Sequence, residues 1–391
     1  MVTDMEIDES YKGREHSLVK HKLLEGYLEK LLFIKCMSGS NAITYVDCFA
    51  GPWGDESSDI KGTSIAISLR ILHKVRDALA AKYHKYDVKF KAIYIEQAKR
   101  RFRRLKEYLD SSCPAEIKPV QLQGDYSELQ DEILKHCENS FTFFFVDPKQ
   151  WTPVAIPKLQ KLLARPNSEF MITFMYDFLN RAITNEDLRS QVCSVLGTLA
   201  DSDISHISGL ESKEREQIIV RRYMNALKAQ MTGSGQKKPR SYHATVQDKD
   251  KDRTKYHLVY LTSHPKGIIE FSKCSEDVEI FQRKVKFHTS RSKTGMDDMF
   301  GIDDETIKAA DAIDGKVVKE YWLKRLITDA VVYSESDLAD MLEETGWLES
   351  DLQRAFGELS EAKQVENVDA KRKREKRPIH FEKNERLRKL S

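Results

Sequence analysis

The sequence predicts an α/β fold in which a mainly parallel sheet is covered by helices on both faces. Three observations predict it. Strand-like and helix-like segments alternate between residues 42 and 174. Several strand-like segments, residues 141–146 above all, are apolar throughout, which is typical of strands buried on both faces. Two later strand-like segments flank a charged turn at residues 248–252, which indicates an antiparallel hairpin at the end of the sheet.

The spacing of apolar residues gives the order of the elements. A first helix is expected over residues 17–34. Five strands are expected at residues 42–48, 90–96, 117–123, 141–146 and 169–174, with helices at 63–85, 99–109, 128–136 and 157–164 between them. A helix-rich stretch extends to about residue 230, and the hairpin strands lie at 241–246 and 255–262. Five parallel strands closed by a hairpin fit a Rossmann-like class I methyltransferase sheet better than a dehydrogenase sheet, which has a sixth parallel strand.

The pattern changes from about residue 316. Helices are expected at residues 318–332, 337–344 and 348–359, and the second has a capping-type start at Ser334 and a stop at Gly346. A two-strand wing over residues 365–381, with a basic tip at 371–377, completes a winged-helix-like domain. The predicted organisation is an N-terminal helical segment (1–40), the sheet domain (41–290), a linker (291–315) and this C-terminal domain (316–391).

Composition narrows the class of protein. The 391 residues carry 64 Lys and Arg against 62 Asp and Glu, yet residues 371–391 alone hold ten basic and three acidic side chains. A basic tail on a near-neutral globule is therefore expected. The six cysteines have no metal-ligand spacing, which favours free thiols in a reducing compartment and no metal site. Neither a signal peptide nor a run of roughly 18 apolar residues is evident, so a cytoplasmic protein without a membrane partner is expected.

Acidic residues recur where the predicted parallel strands end. In such sheets, ligands bind at the carboxyl ends of the strands. Glu96 is placed to accept hydrogen bonds from ribose hydroxyls, and Asp125 to meet an adenine amino group. A small-residue turn after the first strand allows a nucleotide-like ligand to approach the backbone closely. The candidate cofactor-binding residues are Asp47, Phe49, Gly51, Gly54, Glu96, Gly124 and Asp125.

The fourth and fifth strands supply the candidate catalytic residues. Asp147 and Pro148, followed by Trp151, are similar to the Asp/Asn-Pro-Pro-aromatic motif of methyltransferases that act on exocyclic amino groups, and Asp177 follows the fifth strand. In that motif the carboxylate or amide orients the attacking nitrogen and the aromatic ring stacks on the base. Here the second proline is missing and the aromatic is displaced. The alternative is a proline that simply ends a buried strand.

Six segments resemble the three-Cys-motif partner protein family, and the Met175-Tyr176-Asp177 segment is the most distinctive of them. The segments are residues 20–28, 47–54, 62–66, 146–148, 172–181 and 263–267. The resemblance spans about residues 15–280. It implies a class I methyltransferase-like fold, S-adenosylmethionine (SAM) as cofactor and a bacterial, antiviral-defence setting beside a radical-SAM-like protein with a three-cysteine motif. It implies no particular methyl acceptor.

Two departures from the family bear on activity. The family has Gly where this chain has Trp53, and Phe-Gly where it has Lys149-Gln150. A bulky side chain in the glycine-rich loop obstructs the methionine part of SAM, and altered residues after Asp147 affect the acceptor site. Two functions therefore stay open. One is a SAM-dependent methyltransferase-like protein acting on nucleic acid or in a nucleic-acid-associated complex, and the other is a catalytically inactive scaffold that binds a protein partner and nucleic acid.

Two basic runs are candidate nucleic-acid contacts, because clustered cations release counterions from phosphate backbones. The alternative for each run is a solvated surface. The candidate residues are Arg100, Arg101, Arg103 and Arg104 on a helix after the second strand, and Lys371, Arg372, Lys373 and Arg374 on the expected wing.

Overall fold

A computed structural model describes residues 15–51, 62–85, 87–248, 253–294, 313–372, 374 and 376–390. The chain divides into two compact units at the step from Ser263 to His264. The sequence-based boundary lay at residue 290. The helix that starts at Pro265 instead belongs to the second unit, because its apolar face packs on helices of that unit.

The first unit contains a seven-stranded sheet in a mixed α/β fold, and five consecutive strands of it are parallel, as the sequence predicts. Its order is β3-β2-β1-β4-β5-β7-β6, and β7 runs antiparallel to both β5 and β6. The strands are β1 Ala42–Asp47, β2 Lys89–Glu96, β3 Lys118–Gln123, β4 Phe141–Val146, β5 Ser168–Phe174, β6 Arg240–Gln247 and β7 Thr254–Thr262.

Nine helices of the first unit lie between or beside these strands in the described part of the chain. They are α1 Glu15–Met37, α2 Ser64–Tyr83, α3 Lys99–Ser112, α4 Gln130–His136, α5 Ile156–Leu163, α6 Tyr176–Ala182, α7 Arg189–Leu196, α8 Asp201–Gly209 and α9 Ser212–Ala229. All six residues of β4 and all seven of β5 are buried, which explains why both strands are mainly apolar. The rings of Phe144 and Phe170 stack across these two strands at 4.8 Å.

Helix α1 is part of the first unit and covers the sheet. Its residues Leu23, Leu24 and Leu28 are fully buried, and it packs against α2. Tyr27 extends from this face to the buried carboxylate of Glu169 on β5, with 2.9 Å between the hydroxyl and Oε2. The apolar residues of α1 therefore belong to the core of the first unit.

In its described residues, the second unit combines four helices and a three-stranded antiparallel sheet in the order β8-β10-β9. Its elements are α10 Pro265–Thr294, α11 Gly315–Arg325, β8 Val331–Tyr333, α12 Glu335–Thr345, α13 Glu349–Glu361, β9 Val365–Asn367 and β10 Glu385–Lys389. The expected capping box at the start of α12 is confirmed: Ser334 and Asp337 bond to each other's backbone N–H.

Two expectations for this unit were wrong. The helix expected to continue to residue 332 ends at Arg325, because Val331, Val332 and Tyr333 pair with β10 instead. The returning strand of the wing lies at 385–389, beyond the expected end at 381. Pro378 has no N–H for a strand ladder, and Asn384 has a left-handed φ of 54°.

None of the helices in the described ranges combines the length and apolar character that a membrane crossing requires.

Candidate functional site

The carboxyl edge of the sheet gathers the predicted acids of the first unit. The loops after β1 and β3 each donate a backbone hydrogen bond to the end of β2. The N–H of Ala50 donates to the carbonyl of Ile95 at 2.8 Å, and that of Gly124 donates to the carbonyl of Glu96 at 3.2 Å. Glu96 and Asp125 are therefore neighbours at one edge, not residues on opposite sides of the molecule.

Three of these acids share one local arrangement. The carboxylates of Asp47, Glu96 and Asp125 each accept a hydrogen bond from the backbone N–H two residues later, at 3.0, 2.6 and 2.8 Å. Such local bonds fix the direction of the side chain before any ligand is present. The strand-end acids are thus held in place by their own loops.

Asp47 is fully buried, and both of its oxygens are used within the protein. Oδ1 accepts the N–H of Phe49, and Oδ2 accepts the hydroxyl of Ser64 at 2.6 Å. Burial raises the pKa of Asp47 to about 7 despite these two bonds. Because Ser64 is the first residue of α2, Asp47 fixes the end of β1 to the start of that helix.

Glu96 ends β2 and is 4% exposed. Its Oε1 accepts the N–H of Ala98 and lies 3.0 Å from a guanidinium nitrogen of Arg101. Its Oε2 has no hydrogen-bond partner among the described residues. The pair with Arg101 compensates the charge of the buried carboxylate, and the second oxygen is left to accept a bond from a ligand.

Gly124 and Asp125 form the loop after β3. A Cβ at Gly124 would lie 2.9 Å from Cδ1 of Leu129, so glycine permits this close packing. Oδ1 of Asp125 accepts both the N–H and the hydroxyl of Ser127, at 2.8 and 2.7 Å. Oδ2 of Asp125 has no hydrogen-bond partner in the described ranges, as with Oε2 of Glu96.

An aromatic pair lies beside these acids. The rings of Phe49 and Tyr126 are 5.1 Å apart, and the hydroxyl of Tyr126 donates to the carbonyl of Pro153 at 2.5 Å. Gly51 follows with its N–H on the carbonyl of Phe49. Trp53 and Gly54, which the sequence places in the same loop, lie outside the described residues.

Asp147, at the end of β4, has a partner that sequence reasoning missed. Its Oδ2 accepts the ammonium of Lys20, and its Oδ1 accepts the hydroxyl of Thr173 at 2.6 Å. Lys20 lies on the polar face of α1, 127 residues earlier in the chain. The side chains of Lys20 and Asp147 are 12% and 20% exposed, so the pair is partly accessible.

The other candidate catalytic residues are more enclosed. Pro148 is buried, and Trp151 is only 9% exposed, so most of its ring surface is already covered by protein. Asp177 lies in the first turn of α6 and pairs with Arg181 and Arg253, each at 3.3 Å.

The candidate nucleic-acid residues belong to different units. On α3, Arg100, Arg101 and Arg103 are exposed and Arg104 is half-buried. In the second unit, Lys371 and Arg372 are exposed, whereas Arg374 pairs with Glu385 at 2.8 Å. Lys373 lies outside the described residues. In the ranges that the structure covers, no group of three His, Cys, Asp or Glu could hold a metal ion.

Comparison with known proteins adds a distant structural similarity. No protein-family model matches the chain, and no curated protein matches it. Among solved structures, it is similar to the crystal structure of protein LPL1258 from Legionella pneumophila str. Philadelphia 1, described as family-model DUF519. The identity is 8%, the TM-score is 0.33, and the match covers 70% of this chain and 91% of that one. A similarity this weak does not assign a function.

Proposed function

We propose that the first unit is a class I methyltransferase-like domain of the three-Cys-motif partner type, and that it binds SAM at the carboxyl edge of the sheet. One observation carries the proposal. Glu96 and Asp125 adjoin at that edge, each is oriented by its own loop, and each keeps one carboxylate oxygen unpaired among the described residues. The strand order, with a parallel sheet closed by β7 and β6, supports the same proposal.

The two unpaired oxygens match the donors of an adenosyl group. Oε2 of Glu96 would accept from the ribose hydroxyls, and Oδ2 of Asp125 would accept from the adenine amino group. Phe49, whose ring packs against the buried ring of Tyr126, would supply an apolar wall beside them. The sulfonium of SAM supplies the transferable methyl group when the cofactor is bound.

Asp147 is the residue proposed to orient a methyl acceptor. A carboxylate has about four lone-pair sites, so Asp147 can accept a hydrogen bond from an amino group besides those from Lys20 and Thr173. Positioning of the nucleophile is the main contribution a protein makes to in-line methyl transfer.

We also propose the domain and the complex in which this activity takes place. The order helix, strand, two helices and two strands from α11 to β10 supports a winged-helix-like domain in the second unit. By its resemblance, the protein acts in the bacterial cytoplasm on nucleic acid, or in a nucleic-acid-associated defence complex beside a radical-SAM-like three-cysteine-motif protein.

A second function is favoured by the acceptor side of the site. Asp147 is already engaged by Lys20 and Thr173, and Trp151 is nearly covered. A scaffold subunit that keeps the sheet but transfers no methyl group fits these contacts.

Isothermal titration of the full chain with SAM and S-adenosylhomocysteine tests the cofactor proposal. Micromolar binding is expected for the wild type, with at least a tenfold loss in Glu96→Ala. Glu107→Ala is the matched control, because Glu107 is an exposed acid on the neighbouring α3. The affinity of this variant for SAM should equal that of the wild type. A circular dichroism melt of each variant separates lost binding from lost folding. No heat with the wild type at millimolar ligand would refute the proposal and leave the scaffold function.

A further inference from the structure

A basic cleft lies in the second unit, in the loop between β9 and β10. It encloses about 750 Å³. Its described lining contains six Lys or Arg side chains and two carboxylates, Asp369 and Glu385, which leaves a net charge of +4 with His380 neutral. This cleft is built from one unit alone and has no part in the cofactor site.

Both carboxylates in the lining form ion pairs with arginines. Asp369 is held by Arg386 through side-chain bonds as short as 2.7 Å, and Glu385 is held by Arg374 at 2.8 Å. Burial alone would raise the pKa of Glu385, but its bonds with Arg374, the N–H of His380 and Asn367 outweigh burial and lower the pKa to about 2. The acids therefore shape the loop and do not neutralise the remaining cations.

The cations of the loop fall into two groups. Arg374 and Arg377 are bound by acids, Arg377 by Glu349 and Glu382 at 3.3 and 3.2 Å. Four others are exposed and form no ion pair with any described residue: Lys371, Arg372, Lys376 and Lys383. The first group is structural, and the second group is available to a partner.

The character of the second group indicates the kind of partner. Three of the four available cations are lysines, which act as point charges and suit a repeating polyanion better than a single bidentate phosphate. None of the described lining residues is Phe, Tyr, Trp or aliphatic, so neither base stacking nor insertion into a lipid surface is supported. A sequence-independent contact with phosphodiesters fits this lining.

We infer that the cleft between β9 and β10 docks the sugar–phosphate backbone of a nucleic acid through Lys371, Arg372, Lys376 and Lys383. Arg374, which the sequence placed in the contact set, holds the loop in shape instead. The inference goes beyond the cofactor proposal, since it concerns the other unit and holds whether or not the first unit binds SAM.

Fluorescence anisotropy of the full chain with a fluorescein-labelled, single-stranded, mixed-sequence 20-nucleotide DNA tests this inference. The charge-reversal variant Lys371→Glu/Arg372→Glu is compared with Lys316→Glu/Lys324→Glu. The control makes the same charge change at exposed lysines of α11 that do not line the cleft. The cleft variant should lose at least tenfold in affinity at physiological salt. Its slope of log affinity against log salt should be shallower by about 1.4, the value for two lost phosphate contacts on a single strand.

The control variant should lose less than threefold. Equal losses in both variants would mean that overall charge binds the DNA, and that result overturns the inference. So does unchanged affinity in the cleft variant. Lys376→Glu/Lys383→Glu repeats the test from other side chains of the cleft should the first variant melt early. Tighter binding of a phosphoserine peptide than of the DNA, abolished by the cleft variants, would assign the cleft to a phosphoprotein and refute the nucleic-acid partner.

Discussion

Replacing Asp47 by asparagine removes a buried ionisable group without changing its shape. Asn Oδ1 can still accept the N–H of Phe49, and Asn Nδ2 can donate to the hydroxyl of Ser64, which serves as donor or acceptor. The only large change is that the side chain can no longer ionise. Asp47→Asn therefore measures what ionisation of this carboxyl costs the folded protein.

The size of the effect follows from the pKa. In the folded protein, the pKa of Asp47 is raised from 3.8 to about 7. Between these values the folded state binds more protons than the unfolded state, so the free energy of unfolding falls as the pH rises. At about 1.4 kcal/mol per pH unit, the full loss is about 4 kcal/mol, of which about 3 kcal/mol falls above pH 5. The loss is complete above about pH 7.

Urea unfolding of the full chain at pH 5 and pH 8, followed by circular dichroism, measures this difference. Measured relative to the wild type, the free energy of unfolding of Asp47→Asn should be about 3 kcal/mol higher at pH 8 than at pH 5. Asp110→Asn, which makes the same change at an exposed acid of α3, is the control for removing a carboxylate in general. A pH-independent difference for Asp47→Asn, or lower stability than the wild type at pH 8, would refute the reasoning.

Two further predictions concern buried carboxylates away from the cofactor edge. Glu169→Ala removes the acceptor of the Tyr27 and Tyr260 hydroxyls, bonded at 2.9 and 2.7 Å. It should cost about 3–5 kcal/mol in urea unfolding, whereas Tyr27→Phe should cost about 1 kcal/mol. Glu385→Gln weakens the bond to Arg374 and should lower the melting temperature at pH 7. Because the pKa of Glu385 is lowered to about 2, this deficit should shrink as the pH falls from 4.5 towards 2. An equal deficit at pH 7 and pH 3 would contradict it.

The sheet was predictable because its signals are local. Strands β4 and β5 are mainly apolar, and acidic residues mark where β1 and β2 end, so the order and approximate ends follow from short windows of sequence. The adjacency of Glu96 and Asp125 follows from the same local signals, since parallel strands end at one edge.

Most features that the sequence did not predict depend on contacts between residues distant in sequence. Nothing near Asp147 indicates that Lys20 pairs with it, because α1 precedes the whole sheet. The pair of Glu96 and Arg101 lies within five residues and could have been found from the basic run itself. The strand at Val331 was missed because pairing with β10 overrides a helical pattern of apolar residues.

The two sides of the candidate site differ in how many of their carboxylate oxygens already accept hydrogen bonds from the protein. On the cofactor side, Glu96 and Asp125 each present an oxygen without a partner in the described chain, so a ligand can bind without breaking an existing bond. On the acceptor side, Asp147 has a donor on each oxygen, so an acceptor must add a bond to it or displace Lys20. Under the proposed function, cofactor binding and methyl transfer are therefore expected to be separable. Lys20→Met, which removes only one of the donors on Asp147, should leave SAM affinity unchanged while altering transfer, and a parallel loss of both would mean that the two sides form one unit.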